Sequence, residues 1–284
     1  DSTLAIVGGL NPTSNTLHVG ESGLATRLFT PIASLCHRPL TIQGEGTLCH
    51  RPMSMMVEPL KELGVAVRDG GGRLPIEVCG PMRGGRVAVD GHMSSQFVTG
   101  LLIALPVVAR DTTVEVRGAV STPYIDMTME TVSRFGVEIM YNEGDYTEFY
   151  ISGNQQYQPV DYTIESDWSA AAIIMVAAAI AGEVTVRNIS TLSRQADTAI
   201  CRALERVGAS LILESNSITV KRRELNAFTF DATQCPDLFP ALVALAAACD
   251  GVSTIYGVER LRGKESDRGE TLKEEYGKLG IDIE

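Results

Sequence analysis

The sequence predicts an α/β protein, of the α+β kind with mixed sheets, built from repeated small units that form two domains. Glycines recur at positions 64, 136, 208 and 280, which is a constant step of 72 residues. Two kinds of helical pattern alternate at this step, and short runs typical of β-strands lie between them. Self-similarity at a fixed period marks tandem units, and a step of this length favours compact domains over an open solenoid.

The first kind of helix ends at each repeated glycine, in the segments "VEPLKELGVAV", "METVSRFGVEI", "CRALERVGASL" and "LKEEYGKLGID". Apolar residues in these segments follow helical spacing with charged residues between them, and glycine readily terminates a helix. These helices are therefore predicted to be half-exposed.

The second kind of helix is apolar nearly all round, in "ESGLATRLFTPIASL", "HMSSQFVTGLLIALP", "ESDWSAAAIIMVAAAI" and "CPDLFPALVALAAAC". This pattern is typical of a helix buried inside a domain. The runs "TTVEVRG", "EVTVRN" and "STIYGV" read as strands, which gives the order α-β-α-β-β in each unit.

A polar stretch, "GNQQYQPVDY" at residues 153–162, is the expected crossing between domains. We divide the chain there into an N-terminal domain, residues 1–160, and a C-terminal domain, residues 161–284.

Composition limits the possible partners and compartments. The formal net charge is −11 and the pI is about 4.9, which disfavours a nucleic-acid-binding protein because phosphate contacts need a basic face. No apolar run is long enough to span a membrane, and the first residues lack the pattern of a secretory signal, so we expect a cytoplasmic protein. Six cysteines without a CxxC pair predict reduced, mostly buried thiols and no zinc site.

Polar residues at the predicted helix starts are the candidates for chemistry. Ser94, Ser95 and Gln96 open a buried helix, where free N–H groups and the helix dipole favour an anion, although Ser94 could equally be an N-cap. Arg27 lies in an otherwise apolar helix and needs an anionic partner or a route to the surface. Arg51 lies at a predicted helix start, where a cation opposes the dipole, and Asp237 at another, where a carboxylate could also be a cap.

The segment "LRGKESDRGETL" concentrates both charges in a few residues. By itself it could be a solvated helix face with i,i+3 and i,i+4 pairs. It stands, however, at the same place in its repeat as "HRPM", "STPYIDM" and "SRQAD", so we expect the loops of successive units to converge.

Six motifs, in order, carry a family resemblance: "GESGLATRL", "HRPM", "SSQFVTGLL", "STPYIDMTMETVSRFGV", "CPDLFPALVAL" and "RLRGKESDR". Together they resemble the 5-enolpyruvylshikimate-3-phosphate (EPSP) synthase family, along essentially the whole chain. The resemblance implies an inside-out α/β barrel fold, with two domains of three small α/β units each and the active site between them. The family's N-terminal Lys-Ser-x-Ser-x-x-Arg segment, its later Asp-His-Arg motif and its final lysine are absent here. We therefore expect a chain truncated at both ends, holding about four of six units and inactive by itself.

The resemblance also implies a reaction and its residues. The family transfers the enolpyruvyl group of phosphoenolpyruvate to the 5-hydroxyl of shikimate 3-phosphate in the shikimate pathway, as a monomer without metal or organic cofactor, and glyphosate inhibits it. Shikimate 3-phosphate would be bound by Ser94, Ser95, Gln96, Ser121, Asp237 and Lys264. Phosphoenolpyruvate would be bound by Gly23, Arg51, Gln96 and Arg268. Asp237, Glu265 and Lys264 would be catalytic, the two acids sharing the proton transfers.

The sequence departs from the family pattern at two site positions. Leu24 stands where many members have Thr or Ser, and Arg260 stands where some have an Asn that contacts shikimate. One alternative function is the related transfer of enolpyruvyl to UDP-N-acetylglucosamine, although the short "TLCHRPMSM" segment favours the shikimate enzyme. Another is a non-catalytic α/β repeat module, which the acidic charge and the clustered KESDR residues disfavour.

Overall fold

The computed structural model describes residues 3–92, 95–262 and 266–284. The chain forms two compact units. The first contains Asp1–Ala119 and Val132–Gln158, and the second contains Val120–Thr131 and Pro159–Glu284. Each unit holds two successive copies of the 72-residue repeat, except that most of one helix of the second copy, Thr122–Arg134, belongs to the second unit.

The first unit contains two four-stranded sheets with the same topology. The first copy comprises β1 (Thr16–His18), α1 (Gly23–Ala33), β2 (Leu40–Gln43), α2 (Val57–Glu62), β3 (Ala66–Asp69) and β4 (Ile76–Cys79). The second copy comprises β5 (Arg86–Asp90), α3 (Ser95–Ala104), β6 (Thr112–Arg117), α4 (Thr122–Arg134), β7 (Ile139–Tyr141) and β8 (Glu148–Ile151). The strand orders are β1-β2-β4-β3 and β5-β6-β8-β7, and in each sheet the first pair is parallel and the others antiparallel.

The second unit carries the next two copies with smaller sheets. Its elements are α5 (Trp168–Ala181), β9 (Glu183–Arg187), α6 (Ile200–Arg206), β10 (Ser210–Glu214), β11 (Ser217–Lys221), β12 (Thr229–Asp231), α7 (Phe239–Ala247), β13 (Thr254–Tyr256) and α8 (Arg268–Gly277). The antiparallel sheet β10-β11-β9 keeps the order of its counterparts, and β12 pairs in parallel with β13.

The predicted α/β class with mixed sheets is confirmed, and the strand order shows the repeat directly. The unit differs from the prediction in one respect, because a strand precedes the buried helix in three copies and gives the order β-α-β-α-β-β. Two of these leading strands are only three residues long, too short for a clear alternating pattern, whereas the five residues of β5 do alternate in burial. Among the strands that the structure describes, no sheet closes into a barrel.

The second kind of helix supplies the core of each unit, as predicted. In the first unit α1 packs against α3, so closely that a Cβ added at Gly100 would lie 2.6 Å from the carbonyl oxygen of Arg27. In the second unit α5 packs against α7 around the fully buried Trp168. The burial of α5 is not complete, because Ile173 and Ile174 are 60% and 49% exposed on the face away from α7 and its sheet.

The half-exposed helices also follow the prediction. In α2, Leu60 is buried while Glu58 and Lys61 form an exposed ion pair of 2.8 Å. The helix is followed by Gly64, whose φ of +84° lies in the left-handed region that glycine adopts without strain.

Candidate active site

The first unit gathers four polar or flexible positions, Gly23, Arg27, Arg51 and Gln96, which we call the Gly23 cluster. Helix α1 begins at Gly23, and the Ser22 hydroxyl caps it by accepting a hydrogen bond of 3.1 Å from the backbone N–H of Ala25. Arg27, one turn later, is only 6% exposed and donates from Nη1 to Oε1 of Gln96 over 3.0 Å. The cluster therefore lies where the starts of two buried helices meet.

Gly23 allows two guanidinium groups to approach the first turn of α1. A Cβ at this position would lie 2.6 Å from Nη1 of Arg51 and 3.0 Å from Nη1 of Arg27. Two like charges at one helix start repel each other, and an anion bound there would relieve the repulsion. The positive end of the α1 dipole acts in the same direction. The cluster is thus suited to a carboxylate or a phosphate.

The structure corrects the position predicted for Arg51. This residue does not begin a helix but follows the 3₁₀ helix Gly46–His50, with φ −75° and ψ 139°. The cause is Pro52, since the residue before a proline is driven to extended backbone. Arg51 is therefore not a cation at the start of a following helix, and its Nη1 lies beside the first turn of α1, 2.6 Å from a Cβ added at Gly23.

Two further predicted positions in this unit are described. Ser95 is the first residue of α3 and is buried. Leu24 is 48% exposed beside Gly23, and its apolar side chain has no group with which to replace the hydroxyl that many family members carry there. Ser94 lies outside the described residues.

The second unit gathers Ser121, Asp237, Arg260 and Arg268, which we call the Ser121 cluster. Asp237 lies in the 3₁₀ helix Pro236–Leu238, and Arg268 is the first residue of α8. Nη1 of Arg268 donates to Oδ1 of Asp237 over 2.7 Å, with both side chains about a third exposed (30% and 39%). The "KESDR" arginine and the "CPDLF" carboxylate, which belong to the same copy of the repeat, are thus in direct contact. Lys264 and Glu265 lie outside the described residues.

Ser121 forms the other half of this cluster. It is 5% exposed and precedes α4 with φ +54°, a left-handed conformation that is rare for a residue with a side chain. Nη2 of Arg260, in the 3₁₀ helix Val258–Leu261, donates to the Ser121 hydroxyl oxygen over 3.0 Å. Burial lowers the pKa of Arg260, while the nearby carboxylates of Glu259 and Asp237 act in the opposite direction.

Two residues of these surroundings were not assigned a site role from the sequence. Arg27 was noticed only as a buried cation, and its charge in an apolar helix was the available signal. Tyr124, one turn into α4, has its pKa raised by burial and then by the charges of Asp197 and Asp237, so it keeps its hydroxyl proton at neutral pH. Its place in the motif "STPYIDM" was the available signal.

Other kinds of site find no support in the described part of the chain. Its His, Cys, Asp and Glu side chains form no group of three that could hold a metal ion. All six cysteines are free, but only Cys36 and Cys235 are buried, so the prediction of mostly buried thiols was too strong. No described helix is both long and apolar enough to cross a bilayer.

Comparison with known proteins gives a consistent result. The family model described as EPSP synthase (3-phosphoshikimate 1-carboxyvinyltransferase) matches residues 3–284. The 3-phosphoshikimate 1-carboxyvinyltransferase of Clostridium novyi is 34% identical over 99% of this chain and 65% of its own length. That of Methanosarcina acetivorans is 36% identical over 97% of this chain and 66% of its own length. This chain therefore spans slightly less than two thirds of these relatives.

A solved structure of EPSP synthase from Acinetobacter baumannii has a TM-score of 0.73 to this one, at 24% sequence identity. The alignment covers 93% of this chain and 61% of that one. At this level of identity the likeness establishes the fold alone.

Proposed function

The chain belongs to the EPSP synthase family, and we propose that the protein transfers the enolpyruvyl group of phosphoenolpyruvate to the 5-hydroxyl of shikimate 3-phosphate, releasing phosphate. The observation that carries the proposal is the convergence of Arg27 and Arg51 on Gly23. Both substrates are anionic, and two guanidinium groups beside the start of a helix support the binding of an anion there.

The proposed ligand of each described residue is as follows. Gly23, Arg51 and Gln96 bind phosphoenolpyruvate, with Arg27 holding the Gln96 amide in position. Ser95 at the start of α3, Ser121 before α4, Gln96 and Asp237 bind shikimate 3-phosphate. Ser94, Lys264 and Glu265 complete the proposed set. The assignment of residues 1–160 to shikimate phosphate binding stays a prediction.

Asp237 and Arg268 act together in the proposed chemistry. Protonation at C3 of phosphoenolpyruvate makes C2 electrophilic, and the 5-hydroxyl attacks C2 as it loses its proton. The tetrahedral intermediate then loses a proton from its C3 methyl group as the bond from C2 to phosphate breaks, which forms the enolpyruvyl double bond. This sequence needs one group that gives a proton and one that takes a proton. Asp237 is suited to the second role because Arg268 fixes its orientation at 2.7 Å. The positive guanidinium of Arg268 stabilises the negative charge that develops on the phosphoenolpyruvate part of the transition state.

Binding of shikimate 3-phosphate, measured by calorimetry, tests the proposal on this chain. We expect a Ser95→Ala, Gln96→Ala variant to bind it at least ~10-fold more weakly, because charge-assisted and buried polar contacts are lost. Gln156→Ala, which truncates the same side chain at an exposed position, is the matched control. Unchanged affinity in the double variant, or equal binding of UDP-N-acetylglucosamine by the unaltered chain, would contradict the proposal.

A further inference from the structure

The second unit contains a cavity that is lined by none of the described residues to which a substrate role is proposed above. Its volume is about 460 Å³, within the ~300–1,000 Å³ that is usual for small-molecule sites. Its wall is formed by Pro123 at the start of α4, by residues before and within α6, and by the end of β12 with the loop after it. All of these residues belong to one compact unit. The cavity is therefore a candidate for a second ligand site.

Two side chains of opposite charge, Arg202 and Asp231, line this cavity. Arg206, one turn after Arg202 in α6, donates from Nη1 to the carbonyl oxygen of Thr229 over 2.8 Å, so this face of α6 lies along β12. Asp231 lies two residues after Thr229 in the same strand. In the described part of the chain, no hydrogen bond or ion pair joins Arg202 to Asp231. Each charge can therefore meet a different group of one ligand.

The two side chains keep their charges at neutral pH. The hydroxyl and the backbone N–H of Thr233 donate to Asp231 and lower its pKa, and a guanidinium stays protonated in proteins. Burial and then the charge of Asp197 raise the pKa of Cys235, which also lines the cavity, whereas the positive charge of Arg202 lowers it. The thiol is neutral, so it does not offset the charge of Arg202.

The other polar side chains of the wall are partly used within the protein. Nε of Arg194 lies 3.3 Å from Oε2 of Glu130, which balances its charge. Oε1 of Gln234 accepts from the N–H of Thr122 over 3.2 Å, which leaves the NH₂ group of Gln234 to donate to a ligand. The wall thus supplies an amide donor for a carboxylate in addition to the guanidinium groups.

We propose that this cavity binds a small zwitterion of the α-amino acid class, with the ligand carboxylate on Arg202 and the ligand ammonium group on Asp231. An α-amino acid carries both charged groups on one carbon, so a single molecule bridges two side chains that do not pair with each other. Charge-assisted hydrogen bonds of this kind are about twice as strong as neutral ones. Pro123, Ala196 and Ala199 also line the cavity and can contact the side chain of the ligand. The inference does not depend on the enolpyruvyl transfer proposed above.

The first test is calorimetry on the unaltered chain with L-alanine, L-leucine and L-phenylalanine, whose side chains differ in size. We expect saturable binding of at least one of them. The N-acetyl derivative of that amino acid lacks the ammonium charge, and its carboxamide lacks the carboxylate charge. Both derivatives should bind at least ~10-fold more weakly, because each loses one charge-assisted contact.

The second test assigns the two contacts with the variants Arg202→Gln and Asp231→Asn. Each should weaken binding of the amino acid at least ~10-fold. Asp231→Asn should leave binding of the N-acetyl derivative unchanged, whereas Arg202→Gln should weaken it further. Asparagine keeps an oxygen for the hydrogen bonds from Thr233, so the loop should fold normally. Arg223→Gln is the matched control, because Arg223 is exposed and does not line the cavity.

Several results would overturn the inference. The unaltered chain could bind none of the three amino acids, or the Arg202 and Asp231 variants could bind them as well as the control does. Equal weakening of the amino acid and its N-acetyl derivative by Asp231→Asn would indicate a merely structural effect. Equal binding of the two ligands by the unaltered chain would indicate a site for carboxylates and contradict the zwitterion. This last comparison needs no variant, so it decides the question even if a substitution disturbs folding.

Discussion

Replacing Gly23 by Ala should separate ligand binding from stability. The added Cβ would lie 2.6 Å from Nη1 of Arg51, whereas an ordinary contact begins at 3.4 Å. The Arg51 guanidinium must therefore retreat by about 0.8 Å, which stretches a charge-assisted hydrogen bond of ~2.8 Å to about 3.6 Å, beyond the range of such bonds. We expect phosphoenolpyruvate to bind about 10- to 100-fold more weakly.

The stability of the Gly23→Ala variant should not fall with its affinity for phosphoenolpyruvate. Gly23 is the first residue of α1 and has no positive φ, so alanine lowers the conformational entropy of the unfolded chain and raises helix propensity. The displaced atoms are the ends of flexible side chains, so the cost of the clash is small. The free energy of unfolding should thus rise by up to ~1 kcal/mol or stay unchanged.

The assay combines phosphoenolpyruvate titration by calorimetry with urea unfolding. Gly277→Ala is the matched control, because Gly277 lies in α8 with nothing within 4 Å of an added Cβ. That variant should gain similar stability and bind phosphoenolpyruvate normally. The reasoning about Gly23 fails if its variant binds with unchanged affinity, or if it is strongly destabilised, which would show that the glycine serves packing alone.

Three further outcomes are expected. Ser121→Gly should be about 1 kcal/mol more stable to urea than Ser121→Ala, because only glycine relieves the positive φ; equal stabilities would argue against strain. Hydrogen bonds from the Gly153 N–H and the Tyr150 hydroxyl lower the pKa of Asp111, so its contribution to stability is present above ~3.9 and is lost as pH falls through the lower folded value. Asp111→Asn should therefore be less stable at pH 7 and lose less on acidification, and parallel pH curves would refute this. Burial raises the pKa of Cys235 to about 12, so iodoacetamide at pH 8 should label this thiol only after unfolding, as mass spectrometry would show; rapid labelling of the folded chain would contradict it.

The periodic parts of the fold were predictable, and the short parts were not. The repeat and the glycine after α2 are local patterns, so helices and class followed from them. The leading strands depend on one neighbouring strand for their hydrogen bonds, and three residues such as Thr16–His18 carry no readable period. The exposure of Ile173 and Ile174 could not be predicted either, because their apolar character says nothing about which face is covered.

The site was predictable as a set of residue types but not as an arrangement. The resemblance named Gly23, Arg51 and Gln96, yet no spacing shows that Arg27 bonds to the Gln96 side chain 69 positions away. The contact of Arg268 with Asp237 spans 31 positions and depends on how the elements of one copy fold together. Such contacts belong to tertiary structure, which hydrophobic periodicity does not encode.

The repeat places a serine at the same position in two successive copies, and the two serines can be compared. Ser193 stands one step of 72 after Ser121, in the turn before the corresponding helix. The side chains of this turn form hydrogen bonds with residues at or before the start of α5. The Ser193 hydroxyl donates to Glu165 over 2.5 Å, and Oε1 of Gln195 accepts from the N–H of Trp168 over 3.0 Å. The two equivalent turns thus make different contacts: the turn at Ser193 anchors the start of α5, whereas the Ser121 hydroxyl accepts a hydrogen bond from Arg260. Equivalent positions in the repeat therefore do not have equivalent roles, and a role found in one copy cannot be transferred to the next by the 72-residue step alone.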